Sequence, residues 1–428
     1  MSDQTVFSLS TEAGKIGSLT ISEKDRVVLR TLAEIVATLA SRSSENDRKN
    51  LWYSLNALEE VRPVVFCDPE NGWNEIITAN HMECEGELAR RWEMVLRKEI
   101  FWAEPMGDDR VCEAVFPVSC IFEESDWGMH EVKIGGEEGG SYRWEAPLKS
   151  YDQVHELRYP HIAVDRGKTD QLMELAKDVF DNLLEVKLKS VWWWTLGMTW
   201  TLVNLRGLEQ IMIDMYDNPE GLHRLMAFLR DGHMKKLDFL EKEGLLSLNN
   251  DGTYVGSGGF GWTHELPQPD FSGHVRTIDM WGFAESQETT YVSPEQFEEF
   301  IFPYQLPLLE RFGLNCYGCC EPLDKRWDIV KRFPRLRRIS VSPWADLESM
   351  AEKLEGRYVF SLKPSPTDLA TPSIDHQHIR RSLREALEIT RGCRIEVIMK
   401  DNHTIGHNPQ NVIDWCRIAQ EEASRLGG

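Results

Sequence analysis

The sequence predicts an α/β protein, a (β/α)8 barrel over residues 190–428 preceded by a mostly helical extension over 1–189 that covers it. Two observations carry this expectation. Beyond Lys189, short apolar runs alternate regularly with amphipathic stretches to the C-terminus, the rhythm of parallel strands covered by helices. The polar, sulfur and imidazole side chains also gather at the ends of the strand-like runs, in "WGFAESQE", "CYGCCEP", "SVSPWAD", "SLKPSPT" and "MKDNHTIGHNP". In a barrel those ends form the reactive mouth. The doubly wound open sheet is the alternative.

The strand candidates are residues 190–197, 245–250, 276–283, 314–320, 337–343, 357–364 and 393–400. Helix candidates between them begin with Asn218-Pro219, Ser293-Pro294 and Asn408-Pro409, a capping side chain followed by proline at the first helical position. Before Lys189 the rhythm is less regular. Residues 25–42, 87–105 and 169–189 carry apolar side chains at three- and four-residue spacing and read as amphipathic helices. The glycine-rich and charged tract Lys133 to Asp152 reads as an exposed hairpin or insertion.

The charge balance is 48 basic against 70 acidic residues, a net of −22. A phosphate or anionic lipid surface would repel such a chain, so no nucleic acid and no membrane is expected as a partner. A cytoplasmic location is expected, because neither a signal-peptide pattern nor an apolar run of membrane-spanning length is visible. The nine cysteines fit that compartment as small buried hydrophobes, apart from the cluster Cys316, Cys319 and Cys320.

That cluster sits where a strand meets a loop, followed at once by Glu321 and Pro322. The Cys316-x-x-Cys319 spacing admits a redox pair, yet the flanking pattern is not that of a thioredoxin-like motif. A thiolate from Cys319 or Cys320 reaches a metal at the mouth, with His403 after the last strand and Glu285 after the 276–283 strand as further ligands. Strand alternation sends Cys319 and Cys320 opposite ways, so one of the two is the expected ligand. Gln287, Tyr317 and Asp401 are candidates to orient a substrate or give a proton. Trp192, Trp194, Trp281, Phe260 and Trp262 supply aromatic surface for a flat apolar substrate, and Lys363 is a substrate-binding or Schiff-base candidate. "GSGGFG" (256–261) lacks the following lysine and helix of a phosphate loop, and reads as a flexible, substrate-covering loop.

The segments "GLEQIMIDMYDNPEGLHRLM", "VSPEQFEEFIFPYQLPLLERFGLNCYGCCEPL" and "VIMKDNHTIGHNPQNVIDW" resemble the uroporphyrinogen decarboxylase superfamily, in its corrinoid-dependent methyltransferase branch. In length and order the chain looks like the O-demethylase methyltransferases. It lacks the arginine-rich segment of the decarboxylases. The branch carries H-x-C-G after one strand and a second cysteine after the last, which bind zinc. Here the first cysteine falls on Cys319 or Cys320, the second falls near His403, and Tyr317 or Gly318 stands where the histidine would be. The resemblance implies a zinc-dependent enzyme that moves a methyl group from a small methoxylated donor, an aryl methyl ether, to Co(I) of a separate corrinoid protein, with a homodimer possible. The alternatives are transfer from a corrinoid protein to a thiol or folate, and a non-catalytic barrel that binds a small ligand or metal.

Overall fold

Six strands pair side by side in one parallel sheet, in the spatial order Val64–Cys67, Arg394–Met399, Val359–Leu362, Leu336–Val341, Leu314–Tyr317 and Trp281–Ala284. The computed structural model describes residues 18–130, 132–135 and 142–426. The sheet strands are β1 (Val64–Cys67), β8 (Trp281–Ala284), β9 (Leu314–Tyr317), β10 (Leu336–Val341), β11 (Val359–Leu362) and β12 (Arg394–Met399). The remaining strands pair in twos. β2 (Val115–Val118) lies parallel to β7 (Glu185–Leu188). β3 (Phe122–Glu124) with β6 (Ile162–Val164), and β4 (Val132–Gly135) with β5 (Tyr142–Glu145), are antiparallel. The last pair is the hairpin expected in the Lys133 to Asp152 tract, of which residues 136–141 lie outside the described residues.

The α/β class and the parallel sheet are as expected, but the regular pairing joins six strands, not eight. Residues 190–197 and 245–250 form no strand. The first touches the β8 edge through Leu196 N to Phe283 O at 2.9 Å, and the second through the Asn249 side chain, which bonds both N and O of Trp281. At the other edge Asp109 N donates to Val65 O at 2.8 Å. The edge strand β1 comes from the segment read as helical, and its Val64 sits in register with Glu396 of β12.

Alternation gives the sheet two unlike faces. Val341, Phe360, Leu362, Val397 and Met399 lie in the main apolar core. The helices His376–Ile389 and Gln410–Leu426 pack on each other and contribute to the same core. The opposite face carries Cys316, Arg338, Ser340, Ser361 and Glu396, all buried. The expected caps form: the Asn218 side chain accepts from Gly221 N at 3.0 Å ahead of the helix Pro219–Lys242, and Ser293 accepts from Gln296 N at 3.2 Å. The helix that Ser293-Pro294 opens divides into Pro294–Phe300 and Phe302–Leu309, because Pro303 has no N–H to continue the first ladder. A second apolar cluster joins the helices Glu23–Ala40, Glu87–Phe101 and Arg166–Phe180 beside β2. Among the described residues no helix is long and apolar enough to cross a membrane.

Candidate functional site

The polar face of the sheet is filled by residues 255–262, every one of them buried. The glycines are what let this backbone approach. A Cβ on Gly256 would lie 2.8 Å from Cys316 Cβ, one on Gly258 2.5 Å from Ile398 Cγ2, and one on Gly259 2.7 Å from Glu396 Oε2, and all three have positive φ. The expectation of a flexible covering loop is therefore corrected: the segment is packed inside. Beneath it runs a satisfied polar layer. Arg338 Nε meets Glu396 Oε1 at 3.0 Å, and the Arg338 guanidinium also donates to Asn56 Oδ1 and Phe260 O. Ser361 Oγ donates to Glu396, and Lys363 Nζ to Ser361 Oγ at 2.6 Å.

Above this layer, at the C-terminal strand ends, the titratable groups converge. β9 stops at Tyr317, and Gly318, at φ 91°, turns the chain. That turn sends Cys319 away from the side to which Tyr317 points, and the two cysteines part as expected. Cys319 faces inward, 3.2 Å from Ser257 Oγ, while Cys320 is exposed. The two sulfurs are 3.7 Å apart, and Cys320 Sγ lies 3.7 Å from Asp401 Oδ2. Lys400, at the end of β12, is buried, with Nζ 2.7 Å from Asp401 Oδ1 and 3.8 Å from Glu70 Oε1. Burial pulls the Lys400 amine down, but the charges of Cys319, Asp401 and Glu70 outweigh it and hold the amine well above its usual range. The Cys319 thiol is held below its ordinary value by a hydrogen bond from Cys320 and by Lys400, against burial. Burial, with Asp68 and Asp401 adding to it and Lys400 opposing, pushes Glu70 up to about 7. Glu70 and Asp401 both take left-handed backbone, φ 48° and 61°, an unfavourable conformation for non-glycine residues that gathers at functional sites.

Next to this cluster lies a cavity of about 800 Å³, within the range of small-molecule sites. Phe66, Asp68, Tyr254 and Phe260 line it on the sheet side. The helix Glu87–Phe101 lines it with Arg90, Met94 and Lys98, followed by Trp102. Asp68 connects cavity and cluster: it follows β1, its N donates to Met399 O at 2.8 Å, and its Oδ1 accepts from Glu70 N and Trp73 Nε1. Sequence reasoning missed Asp68, Glu70, Lys98 and Lys400. The signal for the first two was the polar "DPE" after the apolar "VVFC", the same strand-end rule applied to a strand that was not recognised.

The expected site residues are divided by the structure. Cys319 and Lys363 are buried on the interior side, Cys320 is exposed beside Asp401, and Phe260 lines the cavity while packing on Phe66 at 4.8 Å. Tyr317 points to the covering helices, where its hydroxyl donates to Gln305 Oε1 at 2.8 Å. Trp192 is core, bonded to Leu245 O and packed on Phe122. Trp281 donates to Gly261 O, Trp262 packs against Tyr53, and Trp194 meets Phe283 edge-on. Gln287 bonds Glu288 and, through its N–H, Glu285. Lys363 is buried and hydrogen-bonded, with burial drawing its amine down to about 8.

A metal held by Cys319 or Cys320 with His403 and Glu285 would need those donors in one shell. Glu285 is buried, with Oε1 lacking a hydrogen-bond partner and its carboxyl pushed well up by burial and by Glu288 and Glu321. His403 is exposed, and it is Asp401 that reaches Cys320. Among the described residues no group of three or more His, Cys, Asp and Glu side chains is arranged to hold a metal ion. The described residues do not fit the expected zinc.

No protein-family model matches the sequence, and no curated protein matches it. Among solved structures the chain is similar to a methyltransferase from Methanosarcina mazei, at 11% identity and a TM-score of 0.49, over 88% of this chain and 98% of that one.

Proposed function

We propose that the protein is a corrinoid-dependent methyltransferase that takes a methyl group from a small methoxylated donor, an aryl methyl ether. The observation that carries this reading is the junction of an apolar cavity with a buried acid, amine and thiol cluster at the strand ends. The sequence resemblance supplies the reaction class. The fold is read as a (β/α)8 barrel in which β2 and β7 stand between the two edges of the six-strand sheet.

When bound, a reduced corrinoid on a partner protein supplies the nucleophile that accepts the methyl. As the C–O bond breaks, its electron pair stays on the aryl oxygen, and a phenoxide of conjugate pKa near about 10 is a poor leaving group without a proton. Glu70, titrating near 7, is matched to deliver that proton at neutral pH. Lys400, charged and held by Asp401, places a fixed positive charge beside the developing anion. The satisfied Arg338, Glu396 and Ser361 layer keeps the glycine segment and Ser257 rigid beneath Cys319.

The test is methyl transfer from methoxyarenes to reduced cobalamin or a corrinoid protein, followed by release of the phenol. One phenol per methyl transferred is expected. Methoxyarenes that bind in the cavity yet give no phenol with any reduced corrinoid acceptor would sink this reading.

A further inference from the structure

Five basic side chains line the cavity in a chain of net charge −22, and four of them are engaged. Arg90 donates to Cys84 O at 3.1 Å, Arg91 pairs with Glu87 at 2.8 Å, Arg110 forms a two-pronged pair with Glu99, and Lys189 pairs with Asp251 and bonds Thr253. Lys98 is the exception. Among the described residues no carboxylate lies within ion-pair distance of it and no acceptor within hydrogen-bond distance. Its ammonium lies over the Trp73 ring, 5.5 Å from the centroid. Asp68, whose charge it feels, already accepts from Glu70 N and Trp73 Nε1. Burial lowers the Lys98 amine to about 8, with Asp68 and Glu99 pulling the other way. A cation kept half-buried without a partner is costly unless something supplies the counter-charge.

We propose that Lys98 anchors an anionic group on the cavity's ligand, so that the donor is a carboxylate-bearing methoxyarene and not a neutral one. This rests on the cavity being the donor's seat, as read above. The ring of such a ligand lies against Met94, Trp102 and Phe260, an apolar wall that suits a flat body with one charged end. Arg110, clamped to Glu99 and stacked on Trp102 at 4.3 Å, holds that wall in place.

The experiment is calorimetric titration of the full chain with 4-methoxybenzoate and with its neutral isostere, 4-methoxybenzamide, for the wild type, Lys98→Met and Lys98→Arg. A charge-assisted hydrogen bond implies that the wild type prefers the acid by roughly tenfold or more, and that Lys98→Met loses about 10- to 100-fold for the acid alone. The amide should keep its affinity within about twofold in Lys98→Met, which also shows that the variant is folded, and Lys98→Arg should recover part of the loss. Equal binding of acid and amide by the wild type, equal loss of both in Lys98→Met, or no binding of either overturns the proposal. Selective binding of the acid through Lys98 with no methyl transfer supports the anion site and removes the methyl-transfer reading.

Discussion

The mouth of the sheet and the neighbouring cavity share Asp68 and are otherwise opposites. The mouth is crowded and charged, with Cys319, Lys400, Asp401 and Glu70 set against one another by interactions that shift every one of their pKa values. The cavity is roomy and largely apolar, and among the described residues its basic side chains are ion-paired or hydrogen-bonded except for Lys98. The mouth holds the reactive groups, and the cavity holds the space. The proposed site is thus a composite: strand ends bring the chemistry, and the helix Glu87–Phe101 brings the room.

Several substitutions sharpen or break that division. The largest effect should fall on neither half but on the layer beneath. Glu396→Gln leaves Arg338 charged and buried with its ion pair gone, and about 3–5 kcal/mol of stability should be lost in equilibrium urea unfolding. A loss below about 1 kcal/mol would mean the layer is not the support described here. Lys400→Met should slow single-turnover methyl transfer by about a hundredfold or more, with donor affinity little changed. An equal fall in affinity would place Lys400 in the cavity's work and not the mouth's.

Met94→Ala should do the reverse, raising KM for the donor by about tenfold through lost apolar contact while leaving kcat. A drop in kcat would merge the two regions. The smallest effect is expected for His403→Ala. An exposed side chain outside the cluster should change transfer by no more than about twofold, and elemental analysis should give the same metal content as for the wild type. Loss of bound zinc in that variant would restore the ligand set expected from sequence.

The mouth was more legible than the cavity, for a physical reason. β9 to β12 are apolar runs flanked by helices with recognisable caps, and the strand-end rule then led to Cys319, Cys320 and Asp401. It stopped one residue short of Lys400, which reads as a solvated lysine until Glu70 and Cys319 are placed beside it. β1 was missed because Val64–Cys67 is buried at all four positions, and so short a run carries no period to separate strand from helix. With β1 went Asp68 and Glu70. Lys98 belongs to an amphipathic helix on which a lysine looks solvent-facing, and only packing against Trp73 shows otherwise. The tryptophans misled because strand aromatics are more often core than pocket. Trp192, walled in by Phe122 and Leu245, is core here.

Whether an acid in the mouth serves a donor in the cavity is decided by the pH profile of single-turnover transfer in wild type and Glu70→Gln. Glu70 must be protonated to act, so the wild-type rate should be full below about 7 and fall as pH rises through that value. Its raised pKa also means that the folded state holds a proton the unfolded chain has released, so stability should fall as pH rises from the ordinary carboxyl value toward 7. In Glu70→Gln the transfer rate should drop by about a hundredfold and lose that falling limb. A wild-type rate that is flat across pH 7, or a limb that survives in Glu70→Gln, would contradict the account.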